Sequence, residues 1–181
     1  MTNNNLQIVN LVMSGDLCVG ELDPEQIADD LPLSNFTLLP GRVYLQKEDM
    51  PTINLYKSGK LSVAGSTSEK EAFTAIEWLI DQMINLGIEV DEESVKKSLR
   101  VEFLVLNADL KKELNLEQLI EQLSSKTTEY EPEQFPGIIY KPDDIDGTVS
   151  IFSTGKISIT GVDSSKSAEQ IYHSLLRIVD E

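Results

Sequence analysis

The largely apolar run from Gln7 to Met13, broken by Asn10, predicts a strand, and because strand side chains alternate with period two Asn10 and Val12 share one face. Asp23-Pro24-Glu25-Gln26 then supplies a capping residue, a proline at the first helical position and a glutamine at the third, a helix start. Arg42 to Leu45, Thr52 to Tyr56 and Lys60 to Ala64 read as antiparallel strands, the last two joined by a tight Lys57-Ser58-Gly59 turn. Ser68-Glu69-Lys70-Glu71 opens a helix as a capping box, with apolar residues at 72, 73, 76, 79, 80, 83 and 84 forming a stripe that must pack on the sheet. Trp78 lies off that stripe and is expected at a half-buried helix edge.

The same order of elements then recurs. Tyr56-Lys57-Ser58-Gly59-Lys60-Leu61-Ser62-Val63-Ala64-Gly65 returns 96 positions later as Phe152-Ser153-Thr154-Gly155-Lys156-Ile157-Ser158-Ile159-Thr160-Gly161. At the same offset Ala72, Ile76, Leu79 and Ile80 correspond to Ala168, Tyr172, Leu175 and Leu176. Earlier in each half the offset is 92 or 93, pairing Asp23 and Gln26 with Asn115 and Gln118, and Leu11-Val12 with Leu104-Val105. Two copies of so long a period describe one duplicated unit, residues 1–91 and 92–181, and not a solenoid. A pseudo-twofold molecule suits a ligand that is itself nearly twofold, such as a DNA duplex.

Composition narrows the class. At 181 residues and 40% apolar content the chain can bury a core. It has no apolar run near the roughly 18 residues of a membrane span, and Met1-Thr2-Asn3-Asn4-Asn5 lacks the features of a signal peptide, so a cytoplasmic protein with no membrane partner is expected. One cysteine, Cys18, and one histidine, His173, leave no Cys/His metal set. Asp143, Asp144 and Asp146 lack the ligand spacing of a calcium loop and read as a solvated turn. With no nucleophile–base pair, phosphate loop or metal cluster, neither an enzyme nor a cofactor is expected.

The formal charge of −16 runs against nucleic-acid binding, which usually shows a basic footprint. It divides evenly: 13 acidic and 5 basic residues in 1–90, 18 and 10 in 91–181. The acidity therefore belongs to the repeat. It is compatible with DNA binding if it sits on the helices and leaves the sheet face neutral, with Arg42, Lys57, Lys60, Lys141 and Lys156 at the rim.

Tyr130-Glu131-Pro132-Glu133-Gln134-Phe135-Pro136-Gly137-Ile138-Ile139-Tyr140, followed by Ser150 to Lys156, closely resembles the TATA-box-binding protein family, archaeal members in particular. The direct repeat, length and element order extend the resemblance over essentially the whole chain. It implies an α+β saddle in which two repeats form one curved antiparallel sheet, with four helices on the convex side and the concave face on DNA. It also implies a general initiation factor that binds and bends A/T-rich promoter DNA in the minor groove and recruits transcription factor B.

The resemblance assigns the residues too. The apolar wedges between base steps fall on Phe135 and Phe152 in the second repeat and on Tyr56 and Leu39 in the first, with Phe36 an alternative to Leu39. The polar centre falls on Asn10 and Thr160, whose repeat mates are Phe103 and Ala64. Val12, Val105, Asn54, Ser62, Ser150 and Ser158 complete the face, the last four polar where the family presents aliphatic residues. Glu131, Glu133 and Gln134 match the stirrup that docks transcription factor B. The polar substitutions leave open a paralog with weak or no intrinsic TATA recognition that regulates through transcription factor B or another protein. Dimerisation of the free protein through its sheet face also stays open.

Overall fold

The computed structural model describes residues 5–31, 35–123 and 127–179. The chain start on which the absence of a signal peptide was read, residues 1–4, lies outside them. Two compact units divide the described chain, one running Asn10–Glu102 and the other holding the remainder.

In the first unit the strands are β1 (Gln7–Asp16), β2 (Asn35–Leu39), β3 (Arg42–Gln46), β4 (Thr52–Tyr56) and β5 (Lys60–Ser66), paired antiparallel in the order β2-β3-β4-β5-β1. Its helices are α1 (Pro24–Asp30), α2 (Glu69–Asn85) and α3 (Glu92–Ser98). The second unit repeats the plan with β6 (Arg100–Asp109), α4 (Leu116–Gln122), β7 (Thr128–Glu129), β8 (Gly137–Tyr140), β9 (Thr148–Phe152), β10 (Lys156–Val162) and α5 (Ser165–Val179), its strands ordered β6-β10-β9-β8-β7.

Alternation sorts each strand into two faces. Leu11, Met13, Val43, Leu45, Ile53, Leu55, Leu61 and Val63 are buried against α1 and α2, and Leu104, Leu106, Ile138, Val149, Ile151, Ile157 and Ile159 do the same in the second unit. The residues between them carry no covering layer within their own unit and form its open face.

Local chemistry explains the helix starts. Asp23 accepts from the N–H groups of Glu25 and Gln26 at 3.1 and 3.3 Å, and Asn115 accepts from Gln118 N at 3.1 Å. Ser68 caps Glu71 N at 3.2 Å, while the Glu71 carboxylate reaches back one residue further than the usual box, accepting from Thr67 N at 2.7 Å. The buried stripe of α2 is Ala72, Ala75, Ile76, Leu79, Ile80 and Met83. Phe73 and Ile84, expected within it, are 38% and 45% exposed, because the stripe centres on Ala75 and Leu79. Trp78 is half-buried as expected, with Lys47 Nζ 5.3 Å from its ring centre.

Five helices are present among the described residues where the resemblance implies four. The additional one, α3, is capped by Asp91, whose carboxylate accepts from Glu93 N at 3.1 Å and Ser94 Oγ at 2.6 Å, and carries Glu92–Lys96 and Glu93–Lys97 pairs one turn apart. The Ser94 hydroxyl is the main influence holding the Asp91 carboxyl below its ordinary pKa. The helix is fixed to β1 through Ser98, whose hydroxyl accepts from Asp16 N at 2.8 Å.

The duplicated turns are built identically. Gly59 and Gly155 have φ of +81° and +82°, and each N–H returns to the aromatic residue three positions earlier, Tyr56 or Phe152, at 2.9 Å. Their carbonyls accept from Leu17 N at 2.9 Å and Leu110 N at 3.0 Å, tying each turn to the end of its neighbouring strand. A Cβ at Gly59 would lie 2.8 Å from Gly20 O, and one at Gly155 only 2.1 Å from Lys112 O, so both positions need glycine.

The copies differ at one buried point. Ser66 is fully buried with no hydrogen-bond partner for its hydroxyl, where the second repeat has buried Val162. An unsatisfied buried hydroxyl costs about 1–3 kcal/mol. Ser66→Ala is therefore expected to stabilise the protein by about 1 kcal/mol, read as a rise in the denaturant midpoint at unchanged slope.

Candidate nucleic-acid interface

The open faces are free of carboxylates along their middles. Residues 10–14, 42–46, 52–56 and 60–64 of the first unit contain no Asp or Glu, and neither do 103–108, 137–140, 148–152 and 156–162 of the second, in a chain with 31 acidic residues. The acidity lies on helices, loops and strand ends. At those ends the repeats match again: Asp16 stands opposite Lys60, and Asp109 opposite Lys156. Each aspartate accepts, at 2.8 Å, the backbone N–H two residues on, from Cys18 and Lys111, both with left-handed φ.

Glu102 is the exception near an open face. It takes Arg100 Nε at 2.7 Å and the Ser14 hydroxyl, and Ser14 first, then Arg100, hold its carboxyl below the usual carboxylate range. Two of the expected rim cations are engaged in exposed pairs, Lys57 with Glu21 at 3.5 Å and Lys141 with Glu129 at 3.7 Å. Such pairs are weak enough to open for another anion.

The second repeat brings Phe135 and Phe152 together, ring centres 5.6 Å apart and tilted by 55°. Gly137 makes this contact feasible. It stands directly opposite Phe152, and a Cβ there would meet Ile151 O at 2.7 Å and both phenylalanine rings at 3.1 Å. Phe135 is delivered by a single turn in which the Glu131 carbonyl accepts from Gln134 N and Phe135 N, both at 2.9 Å. The Gln134 amide also donates to the Glu131 carboxylate, and Glu131, Glu133 and Gln134 are all exposed at this turn.

The first repeat replaces that loop with a two-residue hairpin, Pro40-Gly41, between β2 and β3. Pairing places Leu39 opposite Arg42 and Arg42 opposite Tyr56, so these three share one row on the open face. Phe36 stands opposite buried Leu45, in the row that faces the helices, and so lies on the other side of the sheet from Tyr56.

Asn10, Val12, Ser62, Ala64, Val105, Ser150, Ser158 and Thr160 are all partly exposed on the open faces, and Phe103 is 39% exposed. Ser62 faces Asn54, and Ser150 faces Ser158 across the equivalent strands. Asn54 differs from its expected place as an exposed contact: at 8% exposure, between Tyr44 and Ser62, it is nearly covered. Asn10 Oδ1 accepts from Gly65 N at 2.9 Å, at the point where β5 bulges against β1 with Gly65 at φ +89°. Because the backbone group can only donate, the bond fixes which end of the amide is oxygen and turns its two N–H donors away from Gly65. Phe103, the repeat mate of Asn10, offers no acceptor of this kind. Thr160 faces Thr148, and Ala64 faces Thr52, so a hydroxyl stands beside Ala64 even though it has none of its own.

Arg42 is expected at the rim from the sequence, but its place in one row with Leu39 and Tyr56, the role of Gly137 and the Asn10–Gly65 bond are not. Counting across the Pro40-Gly41 hairpin would have shown Arg42 opposite Leu39; nothing in the sequence signals the amide bond.

The remaining single residues are ordinary. Cys18 is exposed in its turn, Asp143, Asp144 and Asp146 are exposed, and no metal-binding cluster occurs among the described residues. Burial, then Asp143 and Asp144, push the neighbouring Tyr140 phenol upward. No described helix is long and apolar enough to cross a membrane.

The sequence model of the family described as "Transcription factor TFIID (or TATA-binding protein, TBP)" matches residues 5–86 and 98–181. The chain is 36% identical over 180 residues to TATA-box-binding protein C of Halobacterium salinarum, covering 97% of this chain and 98% of that one. It is 34% identical over 171 residues to the TATA-box-binding protein of Methanothermobacter thermautotrophicus, covering 93% and 91%. The solved structure of Methanococcus jannaschii TBP superimposes with a TM-score of 0.84 at 32% identity, covering 97% of this chain and 98% of that one. The chain belongs to the TATA-binding protein family, with the α+β fold of that family. This is a family of DNA-binding transcription factors and not of enzymes.

Proposed function

We propose that this protein is a transcription initiation factor that binds A/T-rich promoter DNA through the open sheet faces, bends it from the minor groove and recruits transcription factor B through the Glu131–Gln134 turn. The observation that carries the reading is the absence of carboxylates from every central strand segment of a chain with net charge −16. Polyanion binding needs a surface where phosphates meet little like charge, and apart from Glu102 the acidic residues lie on helices, loops and strand ends.

The face has the two kinds of group that a minor groove requires. The Phe135–Phe152 pair supplies an apolar wedge, and minor-groove kinking by such wedges is the known mode of this family. The donors of Asn10 and the hydroxyl of Thr160 match the acceptors that A·T pairs present there. Asn10, Val12, Ser62, Ala64, Phe103, Val105, Ser150, Ser158 and Thr160 then form the contact surface, with Leu39 and Tyr56 at the first-repeat end and Asn54 touching only by its edge.

The test is fluorescence anisotropy of a labelled TATA-containing duplex against a scrambled one, across a salt series, with and without an archaeal transcription factor B. Preference for the TATA duplex by the protein alone is expected. Equal affinity for both duplexes, or binding to neither, would overturn the reading. Binding only in the presence of the partner would favour the second reading, a partner-dependent regulator, for which the serine-rich face and Phe103 speak.

A further inference from the structure

The two repeats place different chemistry in one geometric slot, and this difference rests on strand pairing and not on sequence alignment. In the second repeat Phe152 stands opposite Gly137, and the missing side chain there lets the Phe135 ring, brought by the turn before β8, reach the Phe152 ring. In the first repeat Arg42 stands opposite Tyr56, in one row with Leu39. Arg42 therefore occupies the slot that glycine leaves empty in the other copy. Its guanidinium lies 5.8 Å from the Tyr56 ring centre and 5.2 Å from that of Tyr44, so it rests on the open face against two aromatic rings. No acidic residue occurs in the β3, β4 or β5 segments around it, from 42 to 46, 52 to 56 and 60 to 64.

We propose that Arg42 is a DNA-contacting residue that makes the first-repeat end of the site cationic, entering the minor groove of an A/T-rich duplex, while the second-repeat end remains an apolar wedge. The proposal rests on the DNA-binding reading above. Two physical arguments carry it. A guanidinium already in contact with two tyrosine rings is partly ordered, so less side-chain freedom is lost when it meets its ligand. Narrow A/T-rich minor grooves concentrate negative potential and attract inserted arginine. The two ends then ask different things of the DNA: a flexible, easily unstacked step under Phe135 and Phe152, and a narrow groove under Arg42.

The experiment compares wild type, Arg42→Met, Arg42→Lys and, as a control on the helix side, Lys70→Ala, each titrated with a TATA-containing duplex from 50 to 200 mM salt. Thermal melts confirm that each variant is folded. Each phosphate charge neutralised contributes about 0.9 to the slope of log K against log salt. Arg42→Met is expected to lower the slope by up to about 0.9, so that wild type loses about three- to fourfold more affinity than the variant over that range. Arg42→Lys is expected to restore most of the slope, and Lys70→Ala to leave it at the wild-type value. An Arg42→Met slope equal to wild type would overturn the proposal and leave the DNA-binding reading standing. A slope lowered equally in Arg42→Lys would also overturn it, since packing and not charge would then be responsible. Failure of wild type to bind the duplex at any salt would defeat the underlying reading and this proposal with it.

Discussion

Phe152→Ala and Phe135→Ala are each expected to abolish the sharp bend at the second-repeat end of a bound duplex and to weaken binding by about 10- to 100-fold. The rings are in contact with one another and only partly covered by the protein. Their remaining surface is free to enter a base step. Burying a large apolar side chain is worth about 1.5–3 kcal/mol, and each 1.4 kcal/mol is a factor of about ten in affinity. The bend is lost rather than reduced because opening a step costs a few kcal/mol, which the duplex regains only where a ring replaces the broken stacking; this is the family's known mechanism. The measurement is energy transfer between dyes on the two duplex ends, together with anisotropy for affinity. Leu39→Ala should give a smaller change on both readouts, since leucine is smaller and Arg42 stands between it and Tyr56. Unchanged transfer efficiency in both phenylalanine variants would mean that the DNA is not kinked by these rings.

Much of this was legible in the chain because the signals are local. Apolar runs and period-two alternation marked the strands at Gln7, Arg42, Thr52 and Lys60, and the two Gly-Lys turns were built as their letters implied, down to the same backbone bonds. The duplication survived because each copy must bury the same strand face under its own long helix, at Ala72 to Met83 and Ala168 to Leu175. The exact rows across the sheet were less legible. Leu39-Pro40-Gly41 reads like Phe135-Pro136-Gly137, yet Tyr56 faces Arg42 while Phe152 faces Gly137. The loop between β3 and β4 absorbs this one-residue shift, and no propensity reports it. Helix α3 is as short as α1 and α4 but has neither the proline of the one start nor a repeat mate like the other, and its order comes from Asp91, Ser94 and the docking of Ser98 on β1.

The open faces combine polar substitution with middles free of acid, Glu102 beside Ser14 excepted. Ser62, Ser150 and Ser158 offer less apolar area than aliphatic residues would, so the energy returned by close contact with a deformed duplex falls. On the proposed reading, the rest comes from the phenylalanine pair, the oriented Asn10 amide and Arg42. Asn10 is well suited to this because Gly65 already holds its oxygen, and the amide need not choose an orientation when DNA arrives.

Glu131→Arg combined with Glu133→Arg is expected to leave binary DNA binding within about twofold of wild type and to eliminate the ternary complex with transcription factor B. The separation follows from which atoms do which task. Phe135 is positioned by the backbone carbonyl of Glu131, which accepts from Gln134 N and Phe135 N, and a substitution at the side chain leaves that carbonyl in place. Both carboxylates are exposed, that of Glu131 accepting from the Gln134 amide, and both are accessible to a basic partner. Reversing two charges at a contact puts like charges together, which costs several kcal/mol and corresponds to more than about 100-fold in affinity. The first repeat cannot compensate, because its Pro40-Gly41 hairpin carries no acidic turn. Gel-shift titration of the DNA complex with the partner reads the ternary step, and the bend assay reads the binary one. Equal loss of both would place the Glu131–Gln134 turn in the DNA contact and not in the partner contact.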